Sequence, residues 1–198
     1  VSIRINDQKK ISLPFTSTSP IPWCEGGLYL AERPSFTLDP AFHAGAYYVQ
    51  EASSMLLEKA FKTLFPGNYP IRVLDLCAAP GGKSTLLASL LPPGSLLVSN
   101  ETVKNRIPIL KDNLNKWGHI NTWVTGYDPA VYAKMEGFFD LVVVDAPCSG
   151  EGLFRKDEGS AAHWSEENVL HCADRQKRIL AAAEKLVTPP ADRIRGAP

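Results

Sequence analysis

Neither sign of charge dominates this 198-residue sequence, in which 21 Lys and Arg balance 21 Asp and Glu. That balance disfavours a strongly basic, sequence-blind nucleic-acid binder but leaves room for a local basic face. No run approaches the roughly 18 apolar residues of a membrane-spanning helix, so no membrane partner is expected. The four cysteines, Cys24, Cys77, Cys148 and Cys172, form no C-x-x-C pair, and no histidine stands at ligand spacing from one. No metal site is therefore expected. Reduced thiols suit an intracellular chain, read here as cytoplasmic. The first residue is Val1 rather than Met, so the sequence is silent on a leader peptide.

What is present is a core-sized apolar fraction, 44% of the chain. Residues 1–42 read as a small α+β appendage. Ser2 to Ile5 alternate as a strand would, and Pro14, Pro20, Pro22, Pro34 and Pro40 forbid long regular elements after it. Residues 43–198 read as the main domain. Met55, Leu56, Ala60, Phe61 and Leu64 form a helical stripe. Ile71 to Leu76 is a buried strand. Leu86, Leu87, Leu90 and Leu91 mark a second helix, "SLLVSN" a second strand, and Ile107, Leu110, Leu114 and Trp117 a third helix closed by Gly118. "NTWVT" and "FDLVVVDAP" are further strands, and Val169, Cys172, Ile179, Ala183 and Leu186 mark a long last helix. Alternating strands and helices predict an α/β fold with a parallel sheet. Ligands bind such sheets beyond the carboxyl ends of the strands. The residues to read are thus Cys77 to Lys83, Asn100 and Glu101, Asp128, and Asp145 to Gly150.

"VLDLCAAPGGKS", Val73 to Ser84, reads as strand, glycine turn and helix start, an arrangement that holds polar or anionic ligands. A phosphate-wrapping loop needs G-x-x-x-x-G-K-[ST], and Cys77 stands where its first glycine belongs. The fingerprint G-x-G-x-x-G is absent too. What remains is a tight turn, Ala78, Ala79, Pro80, Gly81 and Gly82, whose small residues let a ligand approach the backbone. Glu101 ends the next strand, where an acid accepts from ribose hydroxyls in dinucleotide-type folds. Asp128, after the third strand, is placed to accept from an adenine amino group. Together they favour a nucleoside with little phosphate charge, and S-adenosylmethionine fits. Taken singly, either acid reads equally as a solvated loop carboxylate.

"DAPCSGEGLFRK" puts Asp145, Pro147 and Cys148 where the fourth strand leaves the sheet, with Arg155 and Lys156 as candidate RNA phosphate contacts beside Arg4. A solvated surface is the alternative for these three cations. Methylation of cytosine at carbon 5 would use such groups. That carbon is a poor nucleophile until a thiolate adds to carbon 6 and turns the ring into an enamine. Asp145 is placed to act as the acid near the ring nitrogen.

"DLCAAPGGKS", the "NE" at 100–101, "DAPCSGEGLFRKD" and "YYVQEASSM" resemble the RNA 5-methylcytosine methyltransferases of the NSUN type. "SPIPWCEGGLY" and "GEGLFRKD" are most similar to the bacterial branch typified by small-subunit ribosomal RNA methyltransferase F. The resemblance runs from about Ser2 to Pro189. It implies a Rossmann-like class I methyltransferase core and a partial RNA-binding subdomain at the N-terminus. It also implies an S-adenosylmethionine site lined by Cys77, Ala78, Ala79, Pro80, Gly81, Gly82, Lys83, Glu101, Asp128 and Asp145. Lys83 and Asp145 would lie near the target cytosine of an RNA, ribosomal RNA above all, and the chain would act as a monomer. The family places its attacking thiol in a later Thr-Cys motif and gives the Pro-Cys thiol, here Cys148, a part in product release.

This sequence departs after "LVTPP": no cysteine follows Cys172, and the expected glycines and strand give way to "ADRIRGAP". The chain is therefore expected to be a C-terminally truncated core lacking its nucleophile, with one sheet edge uncovered. Three alternatives stand beside this reading: attack by Cys148 itself, a non-catalytic cofactor- or RNA-binding module, and a nucleotide-phosphate enzyme using "GGKS".

Overall fold

The computed structural model describes residues 1–9, 12–13, 15–154 and 164–189. Two four-stranded sheets form among them. The first is antiparallel, with β1 (Ser2–Ile5), β2 (Ser17–Pro20), β3 (Gly27–Leu30) and β4 (Tyr47–Val49) in the order β2-β3-β1-β4. Its short helix α1 (Pro40–His43) starts where the Asp39 side chain accepts from the Ala41 amide. Ile3, Leu30, Phe36, Ala41, Ala46 and Tyr47 fill the core beneath this sheet.

The second sheet is parallel: β5 (Arg72–Asp75), β6 (Leu96–Asn100), β7 (Thr122–Thr125) and β8 (Leu141–Val143), in the order β7-β6-β5-β8. Between them run α3 (Gly82–Leu90) and α4 (Ile107–Trp117), with α2 (Leu57–Leu64) before and α5 (Glu166–Glu184) after. The expected α/β, Rossmann-like arrangement is what the chain adopts. Successive side chains along a strand point to opposite faces, and both faces are covered. Val73 and Leu97 pack with Phe61, Leu87 and Trp117 on one side. Leu74 and Val98 pack with Tyr132, Phe139, Ile179 and Leu186 on the other. Cys172 and Trp117 are buried, as the stripes in α5 and α4 predict. The strand order reverses between β5 and β8, because β6 and β7 lie to one side of β5 and β8 to the other. Ligand crevices open at that switch point.

Three features differ from the sequence reading. The N-terminal sheet runs past residue 42, because Tyr47–Val49 pairs with β1. The stripe before β5 is also rotated. Leu56 and Leu64 are exposed, and so is Ala60, whereas Ala52, Met55, Glu58 and Phe61 are buried. Residues Ala52–Leu56 form a 3₁₀ turn, whose three-residue period shifts the inward face relative to an α-helix started at the same point. Finally, the chain returns to the sheet after α5: Val187 bridges Phe139 in parallel, and the Thr188 hydroxyl donates to the Gly137 and Phe139 carbonyls.

The two sheets share one interior. Asn6, fully buried, donates from Nδ2 to the carbonyls of Gly45 (3.0 Å) and Trp117 (2.8 Å). Gly45 has a φ of +69°, and a Cβ there would lie 2.2 Å from the Lys116 carbonyl oxygen. Gly45→Ala is therefore expected to cost roughly 2–4 kcal/mol, from backbone strain plus overpacking. The urea midpoint of the purified chain measures it.

Candidate active site

At the carboxyl end of a parallel strand the last amides and carbonyls lose their ladder partners, and buried ones need others. Asn100, fully buried, supplies several. Its Nδ2 donates to the carbonyls of Leu76 (3.2 Å) and Tyr127 (2.9 Å). Its Oδ1 accepts from the Tyr127 amide (2.9 Å), the Thr125 hydroxyl (3.0 Å) and the Tyr132 hydroxyl (3.2 Å). One side chain thereby joins the ends of β5, β6 and β7.

Glu101 comes next and is also buried. Oε1 accepts from the Val103 amide at 2.9 Å, and Oε2 from the Ala79 amide at 3.3 Å. Arg106, at the start of α4, pairs with Oε2 at 3.4 Å and also donates to the Ala79 carbonyl. The glycine turn is held by this carboxylate on one side and by the Ala78 amide, which donates to the Asn100 carbonyl (2.8 Å), on the other. Gly81 caps α3 with a φ of +111°, a conformation that costs glycine least.

A cavity of about 440 Å³ opens at these strand ends. Cys77, Ala79, Glu101, Asp128, Asp145 and Cys148 lie on its wall, with Arg106, Arg175 and Arg178. Lys83 is not on the wall but binds Asp145 across the crevice, Nζ to Oδ2 2.6 Å. Asp128 is committed in part, since Oδ1 caps the next 3₁₀ turn through the Ala130 amide (2.9 Å). Ala78, Pro80, Gly81 and Gly82 form the turn behind the wall rather than the wall itself. The cavity thus gathers Glu101, Asp128 and Asp145 from three successive strand ends, with Cys148 beside them. Among the described residues no cluster suits a metal ion, and no helix is long and apolar enough to cross a membrane.

Arg4 is a correction. Expected to meet RNA phosphate, it is 2% exposed. Its guanidinium donates to Gln50 Oε1 (3.1 Å), Thr85 Oγ1 (2.6 Å) and the Gly82 carbonyl (3.3 Å), and stacks 4.4 Å from the Trp117 ring. Burial lowers its pKa to about 10, leaving it a cation at neutral pH. It ties the N-terminal sheet to the first turn of α3. Arg155 and Lys156 lie outside the described residues.

The sequence reading missed Arg106, Arg175 and Arg178, because periodicity was read from apolar positions only. Arg175 stands four residues before Ile179, on the border of the buried stripe of α5. That spacing is the signal that could have placed it.

Burial sorts the two thiols of the wall. Cys77 is half-buried and its pKa is pushed up to about 11, by burial first and then by the carboxylates of Asp75, Glu101 and Asp145. It stays a neutral thiol. Cys148 is exposed. Beneath the turn, Asp75 is wholly buried. Its Oδ2 accepts from the Ser84 hydroxyl at 2.6 Å, while Oδ1 has no well-formed hydrogen bond. Burial pushes its pKa up to about 6, against the pull of Ser84 and Lys83.

Residues 62–192 match the family described as 16S rRNA methyltransferase RsmB/F, and residues 1–52 match the N-terminal domain of 16S rRNA methyltransferase RsmF. The ribosomal RNA small subunit methyltransferase F of Pectobacterium atrosepticum is 37% identical over 95% of this chain, which covers 41% of that protein. The chain thus spans about two-fifths of the length of such curated relatives. Among solved structures, PH0851 aligns over 96% of this chain and 44% of its own, with 26% identity and a TM-score of 0.82. A methyltransferase homologue from Pyrococcus horikoshii aligns over 95% of this chain and 61% of its own, with 28% identity and a TM-score of 0.75.

The acid beneath the turn sets a pH dependence. The folded chain holds the Asp75 proton more tightly than an ordinary aspartate, whose pKa is 3.8. The stability gained by protonation is complete below about pH 4 and lost as pH rises through 6. Asp75→Asn is therefore expected to stabilise the chain more at pH 8 than at pH 4.5, relative to the parent. Urea unfolding of both at the two pH values measures the difference.

Proposed function

Because the chain belongs to the RsmB/F family of 16S rRNA methyltransferases, we propose that its cavity binds S-adenosylmethionine beside a cytosine of RNA, ribosomal RNA first, for methylation at carbon 5. The observation that carries this is the convergence of Glu101, Asp128 and Asp145 on one cavity next to a turn whose Ala78 and Ala79 amides are already engaged. The Ser84 hydroxyl is buried against Asp75, and Lys83 is paired with Asp145. These commitments argue against the nucleotide-phosphate reading of "GGKS". They suit a ligand recognised through hydroxyl and amino groups. A volume of about 440 Å³ is in the range of small-ligand pockets.

When bound, the cofactor supplies a methyl group on a positively charged sulfur. The chain's own residues bind and orient the two substrates. Glu101, held by three partners, presents its remaining lone pairs to ribose hydroxyls without having to reorient. Asp128 accepts from the base amino group with the oxygen that is not capping a turn. Cys77 packs as an uncharged wall beside the sulfonium. Asp145, the exposed partner of Lys83, stands at the pyrimidine side, where the pair holds the proton that the ring nitrogen gains when a thiolate adds to carbon 6. The lysine holds that carboxyl in place and keeps the cavity mouth from being wholly acidic.

A second reading, attack by Cys148 itself, is favoured by one observation: it is the exposed thiol on the wall, whereas Cys77 is raised to about 11. Methyl transfer to RNA by this chain that disappears in Cys148→Ser assigns the attack to Cys148. Transfer that survives assigns it elsewhere.

Titration calorimetry with S-adenosylhomocysteine tests cofactor binding directly. Saturable binding is expected, and no heat or thermal shift at millimolar ligand would overturn the proposal. Asp128→Asn keeps a capping oxygen but loses the charge, so its affinity is expected to fall roughly tenfold, about 1.4 kcal/mol.

A further inference from the structure

The two sides of the cavity are unequally matched. On the strand side every carboxylate has a partner: Glu101 takes two amides and Arg106, Asp145 takes Lys83, and Asp128 takes an amide. On the α5 side, Arg175 and Arg178 reach the same cavity. Among the described residues neither guanidinium has a carboxylate partner. The contact of Arg175 is to His171, Nη2 to Nε2 3.0 Å. A guanidinium only donates, so this contact requires His171 Nε2 to accept, and it orients Arg175 without neutralising it.

The position of this pair is fixed by the residue between them. Gln176 donates from Nε2 to the Pro147 carbonyl at 3.0 Å. The turn of α5 that carries both arginines is thereby pinned to the residue just before Cys148. Both arginines share the cavity wall with Asp145 and Cys148, and the Gln176 contact anchors their turn to the loop that carries that thiol.

Two guanidiniums three residues apart on a helix lie on one face. Each offers a planar fork of donors that suits the oxygens of a phosphate. We propose that Arg175 and Arg178 form a phosphodiester-binding subsite for the RNA strand, which holds the backbone beside the nucleotide whose base enters next to Cys148. This rests on the methyltransferase reading of the cavity and adds to it the group that grips the substrate. It also supplies a local basic face in a chain whose overall charge is zero.

The test uses the whole 198-residue chain and a fluorescent single-stranded oligoribonucleotide containing cytidine. RNA affinity is measured by anisotropy across a salt series, and S-adenosylhomocysteine binding by calorimetry, for the parent, Arg175→Gln/Arg178→Gln and Arg175→Lys/Arg178→Lys. The glutamine pair is expected to lose at least about tenfold in RNA affinity, and the slope of log affinity against log salt is expected to flatten by about 1.4, or about 0.7 per lost phosphate contact. The lysine pair is expected to retain most of the slope. S-adenosylhomocysteine binding is expected to persist in all three. An RNA affinity and slope unchanged in the glutamine pair would overturn the proposal. So would a loss confined to S-adenosylhomocysteine, which would assign the arginines to the cofactor carboxylate. A flattened RNA slope in a chain that binds no S-adenosylhomocysteine would uphold the subsite and refute the cofactor site.

Discussion

The floor of the cavity depends on one constraint: the strand ends of a buried parallel sheet must satisfy their backbone groups without water. Asn100 and Glu101 meet that demand. Asn100 uses both ends of its amide to join β5, β6 and β7. Glu101 spans from the glycine turn to the start of α4. Because their partners are mostly backbone, these two side chains fix main-chain positions rather than flexible tips. The cavity wall is held by the same bonds that satisfy the sheet end. A carboxylate already bound to two amides and a guanidinium has little freedom left to lose when it meets a ligand.

The charge pattern follows from that floor. Acids at the strand ends are paired within the chain, so the cavity is not a strongly negative hole. Lys83 and Arg106 are drawn in from the starts of two helices to balance it. The thiol next to the turn is kept neutral by burial first and then by the carboxylates of Asp75, Glu101 and Asp145. The exposed thiol stands on the loop after β8, beyond Asp145. One thiol of the wall is thus half-buried and neutral and the other exposed before any ligand enters.

Much of this was legible in the residues. Short apolar runs bounded by turn residues marked all four parallel strands, and the rule that ligands bind at strand ends singled out Glu101, Asp128 and Asp145. Local pattern failed where partners lie far along the chain. Arg4 looks like a surface cation in a four-residue strand, yet its partners are at Gln50, Gly82, Thr85 and Trp117. Nothing in the neighbourhood of residue 4 announces them. The stripe at 55–64 failed for a different reason: one 3₁₀ turn changed the phase, and a periodic reading has no means of detecting where the period changes. The arginines of α5 were overlooked because a stripe drawn from apolar residues ignores its own borders, where polar groups meet a cavity.

The buried guanidinium of Arg4 carries one more consequence. It shares a ring face and four oxygen acceptors with elements more than forty residues away. Neither sheet can open to water alone without stranding a charge on one side and bare acceptors on the other. The boundary between appendage and core is thus a seam in sequence only. The two sheets are coupled through that guanidinium, and the first turn of α3 is tied to a strand 78 residues earlier in the chain.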